Sequence, residues 1–175
     1  MASRSASSVP GTAPGKLRVL LDMIKWEHTV FALPFAYAGM LAAPVPFSVS
    51  NLLWITVAMI GARTAAMTLN RIIDAAIDAR NPRTADRAIP KGLIGAREAW
   101  FFTGVAIALL VLSTFFLAPI TRVLWPLVVL GFVIYPYTKR FTWLCHLALG
   151  IANGLAPGAA WVAVTGEISW PPALI

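Results

Sequence analysis

Apolar and polar positions alternate in long blocks along this chain. Residues 29–47, 52–69, 100–117, 124–137 and 144–164 are almost wholly apolar, and short polar segments separate them. Most of these runs approach the ~20 residues that carry a helix across a ~30 Å hydrocarbon layer. The pattern predicts an all-α protein, a multi-pass transmembrane helical bundle of about five spans. Residues 171–175, PPALI, read as the start of a sixth span that is too short to cross, so the chain is expected to be the N-terminal part of a longer protein. Residues 1–15 are small, polar and rich in Ser, Pro and Gly, the composition of a flexible tail. Residues 16–27 mix apolar positions with Lys16, Arg18, Asp22, Lys25 and Glu27, as in an amphipathic helix lying at a membrane surface. The remainder, 28–175, reads as one transmembrane domain, incomplete at its C-terminal end. The charged leader is too long for a cleaved signal peptide, and four more apolar runs follow the first.

Composition reinforces the bilayer reading and narrows the chemistry. Of 175 residues 59% are apolar and 12% charged, more apolar surface than a water-soluble core of this size uses. A single cysteine excludes a disulfide framework, and two histidines are too few for a zinc cluster, so a metal would have to be held by oxygen. The net charge of +7 does not point to nucleic acid, because the basic residues sit between apolar runs. That placement suits lipid headgroups or a phosphorylated substrate. Twelve of the fourteen basic residues fall in the N-terminal segment and in the loops after the second and fourth runs. The positive-inside rule therefore predicts a cell (inner) membrane protein with its N-terminus and both basic loops in the cytoplasm.

The segment 63–92, RTAAMTLNRIIDAAIDARNPRTADRAIPKG, gathers polar groups at the inner end of an otherwise apolar helix. Four-residue steps put Asn70, Asp74 and Asp78 on one helical face, about 6 Å apart along the axis. Two carboxylates beside apolar spans are costly without a cation. Mg²⁺ is the natural partner: it takes oxygen ligands, keeps several waters and commonly combines one or two carboxylates with substrate phosphates. The ligand so implied is a diphosphate. Arg63, seven residues before Asn70, shares the face but lies deeper, where an unpaired charge costs about 2.5–3.5 kcal/mol on insertion scales. Asp74 or a bound diphosphate is the counter-charge expected for it. Arg80, Arg83, Arg87 and Lys91 are placed to form a basic cap, with guanidinium forks matching phosphate oxygens.

Asn70-x3-Asp74-x3-Asp78, followed by Asn81-Pro-Arg-Thr-Ala-Asp-Arg87-x2-Pro90-x-Gly92, resembles the first aspartate-rich motif of the UbiA superfamily of membrane prenyltransferases and its downstream basic stretch. The leader MIKWEHTVFALPFAY resembles the family's first span, and the likeness extends over nearly the whole chain. It implies an intramembrane enzyme that binds polyprenyl diphosphate through Mg²⁺ held between two aspartate motifs and transfers the prenyl group to a small aromatic acid. Family members acting on 4-hydroxybenzoate in ubiquinone biosynthesis look most similar, with naphthoate prenylation in menaquinone biosynthesis as the rival. The family's tyrosine and lysine in the loop after span 4 match Tyr135-Pro-Tyr-Thr-Lys139-Arg140. The resemblance carries over Tyr135 and Lys139, and together with the reading of the residues this gives Asp74, Asp78, Tyr135 and Lys139 as catalytic, and Arg63, Asn70, Arg87, Lys139 and Arg140 as substrate-binding. The second aspartate motif follows the sixth span in the family, beyond the end of this chain. The complete protein is therefore expected to be active and these residues alone inactive.

Other features have ordinary readings. Pro34 and the run Asn153-Gly154-Leu-Ala-Pro157-Gly158 could bend helices around a cavity, but Gly and Pro are common where membrane helices pack. Cys145 and His146 are adjacent, so their side chains diverge, and both are read as structural. Glu27 and His28 are read as solvated at the inner interface, and Phe101, Phe102, Phe115 and Phe116 as lipid-facing or packing residues. A transporter would spread its charges over several spans. A CDP-alcohol phosphotransferase would need an Asp-Gly pair that this segment lacks.

Overall fold

The computed structural model describes residues 15–138 and 145–168, and every regular element within them is helical. The order is α1 (Lys16–Ile24), α2 (Trp26–Ala42), α3 (Val49–Asp78), α4 (Ala96–Thr114), α5 (Thr121–Thr138) and α6 (Cys145–Thr165). The bundle is built on α3, which packs most extensively against α4 and also meets α5, while α2 pairs with α6. Helices α3, α4 and α5 are long and apolar enough to cross a membrane, and Thr29–Ala42 and Gly154–Thr165 are shorter apolar segments.

Side-chain size sets the crossings. A methyl group added at Gly39 would fall 2.1 Å from the Pro157 carbonyl oxygen, so glycine lets α2 and α6 touch backbone to backbone. Gly61 does the same for α3 and α4, where an added methyl would lie 2.7 Å from the Ala106 carbonyl oxygen. Small residues at such contacts are what lets membrane helices gain dispersion energy without a water-driven hydrophobic effect. Buried hydroxyls near these crossings donate to their own helix: Thr68 to the Thr64 carbonyl at 2.8 Å, Thr103 to Ala99 at 2.9 Å and Ser113 to Leu110 at 2.6 Å. No polar donor among these three is left facing hydrocarbon.

Two apolar clusters form at opposite ends of α3. One joins Ala36 and Met40 of α2, Ile55 of α3 and Ala160 and Ala163 of α6. Beside it Tyr37 and Thr56 share a hydroxyl–hydroxyl bond of 2.8 Å, and Trp54 stacks on Phe116 at 3.9 Å. The other cluster joins Val19, Met23 and Ile24 of α1 to Ile94 and Ala99, with Met67, Ile72 and Phe102 against it. A Lys16–Glu98 ion pair ties the first turn of α1 to the first turn of α4.

Two boundaries differ from the sequence reading, while the helix expected to run through Asp78 does so. The surface helix stops at Ile24 instead of running to 27, because Lys25 adopts a left-handed conformation (φ 53°) that breaks the chain between α1 and α2. Helix α2 ends at Ala42, five residues short of the apolar run, where Pro44 and Pro46 cannot continue it. Helix α3 continues past its apolar part to Asp78 and is about 45 Å long at 1.5 Å per residue. That exceeds a ~30 Å hydrocarbon layer, so one end of α3 must reach the headgroups or tilt.

Candidate functional site

The acidic face forms because α3 stays helical through the charged segment. Asn70, Asp74 and Asp78 lie on consecutive turns; Asn70 is half-buried, while Asp74 and Asp78 are only 3% and 6% exposed. Beyond Asp78 the chain enters a series of turns. The Asn81 side-chain oxygen accepts from the Arg83 amide at 3.0 Å, and Gly92 takes a positive φ of 72°. These turns fold back over the end of α3. Thr84 donates its hydroxyl to the Asp78 carbonyl at 3.1 Å, and Arg87 donates Nη1–H to Asp78 Oδ2 at 2.6 Å.

Arg71 completes the cluster. It stands one turn before Asp74 and nearly two before Asp78, within electrostatic reach of both carboxylates and of Arg87. A cleft of about 460 Å³ opens beside these groups. Arg71, Arg83 and Arg87 line it on one side, and Val19, Met23 and Lys25 of the α1 region line the other. Asp22 and Asp86 line it as well, Asp86 paired with Lys91, so its walls are basic and apolar with two carboxylates among them.

The other sequence-predicted residues fall as follows. Arg63 is half-buried on α3, roughly 16 Å along the axis from Asp74, so the two share a face but lie at different depths. Tyr135 is half-buried near the end of α5, a helix that packs against α3. Lys139 and Arg140 lie outside the described residues, as do the side chains of His28, Cys145 and His146. The basic cap forms only in part. Arg87 and Arg83 face the site, whereas Lys91 pairs with Asp86 at 2.8 Å and Arg80 is exposed. Glu27, Glu98 and Glu167 are exposed and take no part.

Among the described residues no three His, Cys, Asp or Glu side chains converge. Two buried carboxylates and one amide oxygen nevertheless fit Mg²⁺, which fills its octahedron with water and phosphate oxygens.

The model of the UbiA prenyltransferase family matches residues 32–175. The chain belongs to this family. It is 34% identical over 152 residues to a 4-hydroxybenzoate octaprenyltransferase of Vibrio campbellii, an alignment covering 85% of this chain and 50% of that protein. A protoheme IX farnesyltransferase of Synechocystis is 41% identical over 117 residues, covering 63% and 36% of the two chains. Among solved structures, a UbiA homologue from Aeropyrum pernix K1 superposes with a TM-score of 0.73 at 37% identity, over 83% of this chain and 53% of that one. A digeranylgeranylglyceryl phosphate synthase shares the fold, with a TM-score of 0.76 at 19% identity over 86% of this chain and 54% of the other. The chain thus spans about half the length of the Vibrio protein and of both solved structures.

Sequence reasoning missed Arg71, which it had counted only among the loop charges. Its spacing of three and seven residues from Asp74 and Asp78 was the available signal.

Proposed function

We propose that the protein to which these residues belong transfers a polyprenyl group from a polyprenyl diphosphate to a small aromatic acid, 4-hydroxybenzoate being the favoured acceptor. The observation that carries this reading is the buried Asp74–Asp78 pair, joined through Arg87 to a cleft that three arginines line together with apolar side chains and the carboxylates Asp22 and Asp86. An amphiphile with an anionic head fits such walls: the diphosphate toward Arg71, Arg83 and Arg87, the isoprenoid toward the apolar surface. Names of relatives support the acceptor class without fixing it, since 4-hydroxybenzoate and protoheme enzymes both align.

In this mechanism Asp74 and Asp78, with Asn70, would hold Mg²⁺, which when bound supplies positive charge to the diphosphate oxygens. Arg71 and Arg87 hold the diphosphate so that its negative charge is met as the allylic carbon–oxygen bond breaks and the electron pair leaves with the phosphate. Arg63, deeper on the same face, is assigned to the acceptor carboxylate or a phosphate oxygen, as is Lys139, with Arg140 beside it; Tyr135 orients the diphosphate. The aromatic ring attacks the allylic carbon, a carbon–carbon bond forms, and loss of the ring proton restores aromaticity.

The test is Asp74→Ala in the complete protein, assayed for Mg²⁺-dependent prenyl transfer in membranes. A loss of about 10²-fold or more is expected, while turnover at the wild-type rate refutes the assignment. Product masses with 4-hydroxybenzoate and a hydroxynaphthoate separate the two acceptors. The same assay on residues 1–175 alone is expected to give no product.

A further inference from the structure

Asp78 is a proposed metal ligand, yet one of its two oxygens already carries a charge-assisted bond. Arg87 Nη1 sits 2.6 Å from Oδ2, and the Asp78 side chain is only 8% exposed, so solvent screens this pair weakly. The Arg87 side chain is 35% exposed, borders the cleft and projects from the turn segment, not from α3. It can move without disturbing the helix that fixes the carboxylates. A divalent ion on Asp78 and a guanidinium on the same buried group would be two cations a few ångströms apart, and their repulsion is large at low dielectric. We infer that Arg87 is an exchangeable counter-cation: it competes with the divalent ion for Asp78 and passes to the diphosphate when ion and diphosphate bind together. This rests on the metal-site reading above and adds a direction to it. Arg87 opposes binding of the ion alone and favours binding of the ion–diphosphate pair.

The two effects have opposite signs, which a purely structural role for Arg87 cannot produce. The experiment titrates Mn²⁺, as the Mg²⁺ probe, into the complete protein purified in lipid nanodiscs, following free ion by electron paramagnetic resonance, with and without inorganic pyrophosphate. Arg87→Gln is expected to bind Mn²⁺ alone about tenfold more tightly and to bind pyrophosphate in the presence of Mn²⁺ about tenfold more weakly. Arg87→Lys, which keeps the charge, is expected to fall between Gln and wild type in both. Unchanged or weaker Mn²⁺ binding by folded Arg87→Gln overturns the proposal; if that variant does not fold, Arg87→Lys decides, and Mn²⁺ and pyrophosphate affinities equal to wild type, or both weaker, overturn it. Asp74→Asn and Asp78→Asn are run beside it. If neither lowers Mn²⁺ affinity, the metal-site reading itself fails and the exchange fails with it; if both do, Arg87 is judged alone.

Discussion

Arg71 lies within electrostatic reach of Asp74, Asp78 and Arg87 and borders the cleft, so its charge acts on the carboxylates and on an anion in the cleft alike. Unlike Arg87 it is fixed to α3, and it therefore keeps its place whichever partner the carboxylates take. Replacing it with Gln should weaken pyrophosphate binding in Mg²⁺ by about tenfold, the scale of one charge-assisted contact. Arg71→Lys should recover part of the loss, because a point charge replaces a fork. Isothermal titration on the folded variants checks this, and wild-type affinity in Arg71→Gln would remove it from the site. The acidic face itself was legible in the sequence because helical periodicity alone brings Asn70, Asp74 and Asp78 together. The Arg87–Asp78 bond was not, since a run of turns separates positions nine apart and no periodic rule spans it. Arg71 was hidden for a different reason: placing the loop at the end of the apolar run assigned it to the wrong element.

At the scale of elements, glycine decides where helices cross. Gly39 and Gly61 each face a neighbouring backbone, whereas Gly104 on α4 has nothing within 4 Å of the position an added methyl would take. Gly39→Ala must push α2 from α6, and Gly61→Ala must push α3 from α4, with a cost of about 1–3 kcal/mol for overpacking. Thermal unfolding in one detergent should show both variants melting below wild type and Gly104→Ala unchanged or higher, given alanine's better helix propensity. Equal melting of all three would mean that the crossings are looser than described. The number and order of apolar helices could be read from hydropathy, but their ends could not. Hydropathy does not distinguish the helical residues of α2 from the extended apolar stretch after Ala42, and it undervalued the charged last turns of α3. The close approach at Gly39 pairs positions more than a hundred residues apart, which a pattern along one strand of sequence does not encode.

The whole molecule presents apolar surface outward on a scale that water would not tolerate. Phe31, Phe101 and Val123 are each at least 75% exposed, on three different helices. In a bilayer that exposure is the normal state of a lipid-facing residue, and the remaining question is which way the bundle points. The turns between α3 and α4 hold Arg80, Arg83, Arg87 and Lys91, while the short connection between α4 and α5 holds no basic residue, Arg122 lying just inside α5. Arg122 is also tied down locally, donating to the Phe115 carbonyl at 3.2 Å and lying over the Phe115 ring at 5.2 Å. It is one basic residue against the four in the turns, so the basic turns should face the cytoplasm. Replacing the single cysteine (Cys145→Ser) and introducing Arg80→Cys or Pro119→Cys, both exposed positions, gives two probes on opposite ends of the bundle. In intact cells a membrane-impermeant maleimide should label the Pro119→Cys protein and leave Arg80→Cys unlabelled until the membrane is permeabilised. The reverse pattern would turn the site to the other face and, with it, require the prenyl donor to be supplied from outside the cytoplasm.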